Sequence, residues 1–189
     1  MNEPGSSRRY YPLLLATASM LGLMLVLIVA DVFADHALGT AAQIAWSAQL
    51  QQVDDALARN DVASAEMRWR EAYAAALKSR HWEGMVAVGD AYRRLGDRGG
   101  FREVSEAKAH KAYLAALFRA RSQGSLEGVL RSAQGFADLG DHRIVERCIR
   151  VARSVAAATR DPRAEERVRI FAERWAARAP EVDHQGLVP

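Results

Sequence analysis

The sequence predicts an all-α protein: a single transmembrane helix, then an antiparallel helix-hairpin solenoid of about three repeats closed by a capping helix. Three observations predict it. The first is an internal near-copy. Val88-Gly89-Asp90-Ala91-Tyr92-Arg93-Arg94-Leu95-Gly96-Asp97 is echoed by Ala133-Gln134-Gly135-Phe136-Ala137-Asp138-Leu139-Gly140-Asp141. In each, a small residue and an aromatic ring three positions on share one helix face, and Leu-Gly-Asp follows. The second is composition. Aromatics make up only 7 % of the 189 residues while half are apolar, alanine above all, which suits close helix–helix packing. The third is the stretch between Arg9 and Asp31, which holds no charged residue.

Taken in order, residues 1–9 form a short polar segment. Residues 10–34 follow as the membrane helix, because an uncharged run of this length reaches about 30 Å, the thickness of a bilayer core. Arg8 and Arg9 precede the run, Asp31 and Asp35 follow it, and no Lys or Arg comes after it until Arg59. The positive-inside rule then keeps the N-terminus in the cytoplasm and exports the remainder, in a bacterium to the periplasm. Gly22 and Ser19 are spaced to permit a close helix contact within the span. A rival reading is a cleaved signal peptide, since Val32-Phe33-Ala34 has the small-residue spacing a signal peptidase accepts. The apolar run is longer than an ordinary signal core.

Residues 35–180 read as the repeat domain. The stretch 35–59 carries Ala42, Ala45, Trp46, Leu50, Val53 and Leu57 near the helical period, and Asn60-Asp61 stops one helix and caps the next. Ala65, Trp69, Ala72 and Leu77 line the second helix. The third, from Trp82, is expected to end on Gly96, with a glycine in the left-handed C′ position and Asp in the turn. Asp97–Ser105 then reads as an enlarged turn. There Phe101, between Arg98 and Arg102, reads either as an exposed ring beside two charges, a composition partner contacts favour, or as a ring folded back over the end of its own helix pair. Ala109, Tyr113, Ala116 and Leu117 mark the fourth helix, and Ser125 caps the fifth, which ends on Gly140. Val145, Ile149, Ala152 and Val155 mark the sixth. Asp161-Pro162 opens the last, with proline at its first position and Val168, Phe171, Ala172 and Trp175 facing inward. Residues 181–189 read as a flexible tail.

Set on a 34-residue frame, the helix pairs starting near residues 46, 82 and 126 resemble the tetratricopeptide repeat. Small residue and ring fall at Gly89/Tyr92 and Ala133/Phe136. The second helices supply Ala65/Trp69/Ala72, Ala109/Tyr113/Ala116 and Val145/Ile149/Ala152. Small residues let two antiparallel helices approach, and the large one fills the gap to the next pair. The first repeat departs from the pattern with Val53 and Ala56, and the second carries about eight extra residues.

The resemblance implies a binding protein, with the first helix of each pair lining a concave groove. It places Glu83, Val86, Asp90, Arg93 and Arg94 there, then Glu127, Leu130, Gln134, Ala137 and Asp138, with Leu50 and Asp54 from the first repeat. Members that clamp a C-terminal carboxylate carry Lys and Asn at two of these places. Here those places hold Val86/Asp90 and Leu130/Gln134, so a protein segment is the implied partner and not a small anion.

Other chemistries find little in the sequence. Two of the 26 basic and two of the 23 acidic residues precede residue 35, so the net charge of +3 is spread thinly along the rest. No run of like charge suits a nucleic acid. The five histidines and the single Cys148 lack metal-ligand or haem-attachment spacing, so no metal or cofactor is expected. Cys148 reads as a small buried hydrophobe and not a nucleophile, and no phosphate loop is present. The expected function is a non-enzymatic, membrane-anchored adaptor or assembly subunit at the bacterial inner membrane. The alternative is a soluble chaperone-like binder released by cleavage after Ala34.

Overall fold

The computed structural model describes residues 45–178. The segment 1–9, the predicted span at 10–34 and the tail at 181–189 lie outside the described residues. Within them the chain is all helix: α1 over 45–58, α2 Val62–Ser79, α3 Trp82–Gly99, α4 Arg102–Ser122, α5 Leu126–Asp138, α6 His142–Thr159 and α7 Pro162–Ala176, with no strand. None of the described helices is long and apolar enough to cross a membrane.

Local chemistry sets most of the boundaries. Side chains of Asp61, Ser125 and Asp141 accept from the backbone N–H three residues on, and Asp161 from Arg163, with Pro162 in the first turn. Each satisfies an amide that the helix itself leaves unpaired. Gly100, Gly124 and Gly140 stop α3, α4 and α5 with positive φ, while Asn60, Arg80 and Arg160 do the same for α1, α2 and α6. The two arginines are not legible as stops, because a left-handed residue with a Cβ costs roughly 1–2 kcal/mol.

Each helix from α2 onward packs on its neighbour in the chain. In addition α3 touches α5, α5 touches α7, and α4 touches α6. Odd- and even-numbered helices therefore form two layers with the core between them. Every residue that set the frame is in that core: Val53, Ala56, Ala65, Trp69, Ala72, Gly89, Tyr92, Ala109, Tyr113, Ala116, Ala133, Phe136, Val145, Ile149 and Ala152 are all buried. Trp69 stacks on Tyr73, lies 4.0 Å from the Tyr92 ring and donates its indole N–H to the Val88 carbonyl at 2.7 Å. Cys148 is buried, and burial pushes its thiol up to about 12, which makes it the hydrophobe expected.

Tyr113 shows why two glycines face one ring. A Cβ on Gly89 would stand 2.6 Å from its Cε1, and one on Gly135 would stand 2.8 Å from the same atom. The ring is fully buried and its hydroxyl is tied to Asp90 at 2.6 Å, so it cannot swing aside. Gly89→Leu should therefore lower stability by about 3 kcal/mol or more through overpacking, read as a shift in the denaturation midpoint. A glycine on open surface would instead gain helix propensity on replacement, up to about 1 kcal/mol. The sign alone decides.

Three expectations need correcting. The helix ending on Gly96 runs on to Gly99, and its true stop is Gly100, whose N–H donates to the Gly96 carbonyl. Only Gly100 and Phe101 then separate α3 from α4, so the enlarged turn at Asp97–Ser105 is almost entirely helix. Phe101 is not an exposed contact: its ring covers Gly99 beside Val62, 6.2 Å from the Tyr92 ring. Leu77, placed on the apolar face of α2, is 43 % exposed.

Candidate partner-binding groove

The odd-numbered helices carry the residues assigned to the groove. Asp90, Arg93 and Arg94 of α3 stand opposite Gln134 and Asp138 of α5. With Asp97, Arg131 and Gly135 they enclose a hollow of about 280 Å³. A second hollow of about 380 Å³ lies between α1 and α3, lined by Asp54, Leu57, Ala58, Arg94, Asp97 and Arg98. Arg94 and Asp97 border both. A polar groove thus runs from α1 across α3 to α5, and it includes Arg98, expected on a loop.

What fills the groove is pairing between successive odd-numbered helices. Arg94 donates to Asp54 at 2.8 Å, Arg93 to Asp138 at 3.1 Å, and Arg131 to Asp90 at 3.4 Å. Glu127 is paired with Arg167 of α7. The sequence separations are 40, 45, 41 and 40, close to one helix pair in each case. Opposite charges therefore lace each odd helix to the next. Gln134 completes the set by donating to Asp138 at 2.7 Å. These side chains are largely half-exposed or more, so each pair contributes at most about 1 kcal/mol. Their main effect is to fix the register of the layer and leave it with alternating signs.

Tyr113 anchors the centre. It reaches from α4 through the gap left by Gly89 and Gly135 and donates to Asp90. Burial first, and the Asp90 carboxylate second, hold its phenol well above the ordinary tyrosine range, against the pull of Arg93. The phenol therefore stays a proton donor, and Asp90 accepts from Tyr113 and Arg131 together.

Not every assigned residue lines the groove. Val86 is 3 % exposed and belongs to the core. Leu130 and Ala137 are half-buried and packed against the core. Glu83 sits at the other end of α3, with one carboxylate oxygen buried and unpartnered, as are the indole N–H of Trp46 and the amide oxygen of Gln49 on α1. Arg102 opens α4 and pairs with Glu106 at 2.8 Å. Arg131, Asp97 and Arg167 escaped sequence reasoning. The one signal for Arg131 and Arg167 was an opposite charge about 40 residues away, which many other charges on this chain share.

No group of three or more His, Cys, Asp or Glu side chains among the described residues is arranged to hold a metal ion. Comparison with protein-family models, with characterised proteins and with solved structures gives no match.

Proposed function

We propose that this chain is a membrane-anchored, extracytoplasmic adaptor or assembly subunit, similar to tetratricopeptide-repeat proteins, which holds a partner protein beside the bilayer. Residues 10–34 anchor it, with residues 1–9 in the cytoplasm and the helical domain in the periplasm. The observation that carries the reading is the groove across α1, α3 and α5. Asp54, Asp90, Asp97 and Asp138 alternate there with Arg93, Arg94, Arg98 and Arg131. Mixed charge at fixed spacing, with a glutamine and an apolar border at Leu57, suits a polypeptide that offers both signs. It suits a single small anion poorly.

Two measurements test this. A photo-crosslinking amino acid in place of Gln134 should join the chain to one discrete protein in native membranes, and the same group at Lys111, on the even-numbered layer, should not. Equal crosslinking from both positions removes the groove from the proposal. For the topology, a reporter active only outside the cytoplasm should work when fused after Pro189 and fail when fused before Met1. Activity of a cytoplasm-only reporter at the C-terminus would reverse the orientation. The released form favoured by Val32-Phe33-Ala34 predicts instead a mature protein that carbonate strips from membranes and whose mass begins at Asp35.

A further inference from the structure

The two junctions of the even-numbered layer are built differently. At the first, Arg119 of α4 reaches the end of α2 and donates to the carbonyls of Ala76, Leu77 and His81 at 2.9, 3.2 and 3.0 Å. Gln123 donates to the Arg80 carbonyl at 3.0 Å. Together they seal the notch. The next junction follows by setting Ala109, Tyr113 and Ala116 of α4 on Val145, Ile149 and Ala152 of α6. Arg119 then falls on Val155, and Gln123 on Thr159. Neither replacement can fill the notch, and a hollow of about 590 Å³ stands there, between the end of α4 and the length of α6.

Its walls carry one sign of charge. Arg121, Arg147 and Arg150 line it together with Val151, Val155 and Ala158. Among the described residues none of these three arginines has a hydrogen-bonded or ion-paired carboxylate, whereas Arg93, Arg94 and Arg131 of the groove do. The whole of α6 follows suit, with Arg143, Arg147, Arg150 and Arg153 against the single Glu146. Residues 147 to 159 extend about 18 Å along the helix, too long and too roomy for one phosphate or carboxylate ion. Val151 and Val155 are half-buried against the core, so they do not project as the apolar face of a helix lying on a bilayer does.

We propose that this hollow is the docking site for an acidic, amphipathic polypeptide segment of a partner protein. Its apolar side chains enter the space that Arg119 and Gln123 occupy at the preceding junction, and its carboxylates pair with Arg121, Arg147 and Arg150. The site lies on the layer opposite the groove and does not depend on that groove's function. Arg–carboxylate pairs supply orientation, and the apolar contacts supply most of the affinity.

The test uses random twelve-residue peptides displayed on phage and selected on the full chain in neutral detergent, with the winners synthesised and labelled for fluorescence polarisation. Selected sequences should place two or more Asp or Glu beside Leu, Ile or Phe. Val155→Arg, which transplants the chain's own seal, should weaken them at least tenfold in protein that still melts cooperatively. Arg147→Ala with Arg150→Ala should do the same, and so should Glu→Gln exchange in the peptide. Winners without acidic enrichment, or equal binding to both variants, overturn the proposal. So does binding to phosphatidylglycerol vesicles that falls with the same variants while no peptide binds, since that assigns the arginines to lipid headgroups. Peptide binding that appears only once residues 180–189 are deleted assigns the hollow to this chain's own acidic end and overturns it as well.

Discussion

Gly96→Ala is expected to cost about 3 kcal/mol or more, although alanine is the better helix former by about 1 kcal/mol. Gly96 lies inside α3, at its crossing with the first turn of α4. A Cβ there would overlap both Oγ and Cβ of Ser105. Ser105 is fully buried, and its hydroxyl donates to the Arg102 carbonyl at 2.7 Å. Rotating the hydroxyl away would break that bond and still leave the overlap with Cβ. The helices must instead move apart, opening the packing of Leu95 and Ala109, both fully buried. Denaturant titration of the full chain in detergent reads the loss. Ser105→Gly removes the opposing Cβ, so the double variant should recover more than half of it, even after the helix penalty of a second glycine. A stabilised Gly96→Ala protein would show that the crossing has slack.

That glycine also marks where sequence reasoning stops. Leu-Gly-Asp occurs at 95–97 and at 139–141, and the two glycines do unlike work. Gly140 has φ +74 and nothing near its Cβ position, so it ends a helix because only its backbone freedom matters. Gly96 is an interior helical residue whose missing side chain matters. The identity of the residue is the same in both; the distinguishing fact is the position of Ser105, which depends on how α4 docks. The all-α class, the caps at Asp61, Ser125, Asp141 and Asp161, and the buried frame residues were legible because each follows from neighbours within about four positions. The groove was legible in part. Asp90, Arg93, Arg94, Gln134 and Asp138 do converge, since the helical period places them on one face. Their pairing with one another, and with Arg131 and Asp54, was hidden because it depends on register across 40 to 45 residues. Val86 was misplaced for a related reason: it lies one turn from Asp90 along the helix, but α3 is buried more widely toward its start.

Arg119→Ala is expected to cost about 2–4 kcal/mol. Charged hydrogen bonds are worth about 1.5–3 kcal/mol each, and the three here share one guanidinium, so they do not add in full. Two of the acceptors, Ala76 and Leu77, are carbonyls of the last turn of α2, which the helix cannot satisfy itself and where its dipole is negative, and the third is His81, the N-cap of α3. Burial holds the guanidinium pKa below its ordinary value, so the cation is already partly stripped of water and its bonds are stronger for it. The loss should be local before it is global: backbone amides of the last turn of α2 should exchange faster, with those of α6 unchanged. Arg119→Lys keeps the charge but not the planar fork that spans Ala76, Leu77 and His81, and should recover less than half the stability. Salt should matter little to a half-buried contact of this kind. A change within 0.5 kcal/mol for Arg119→Ala would mean that water serves those carbonyls equally well. The seal at the first junction would then have no energetic role, and its absence beside α6 would no longer mark that junction as different.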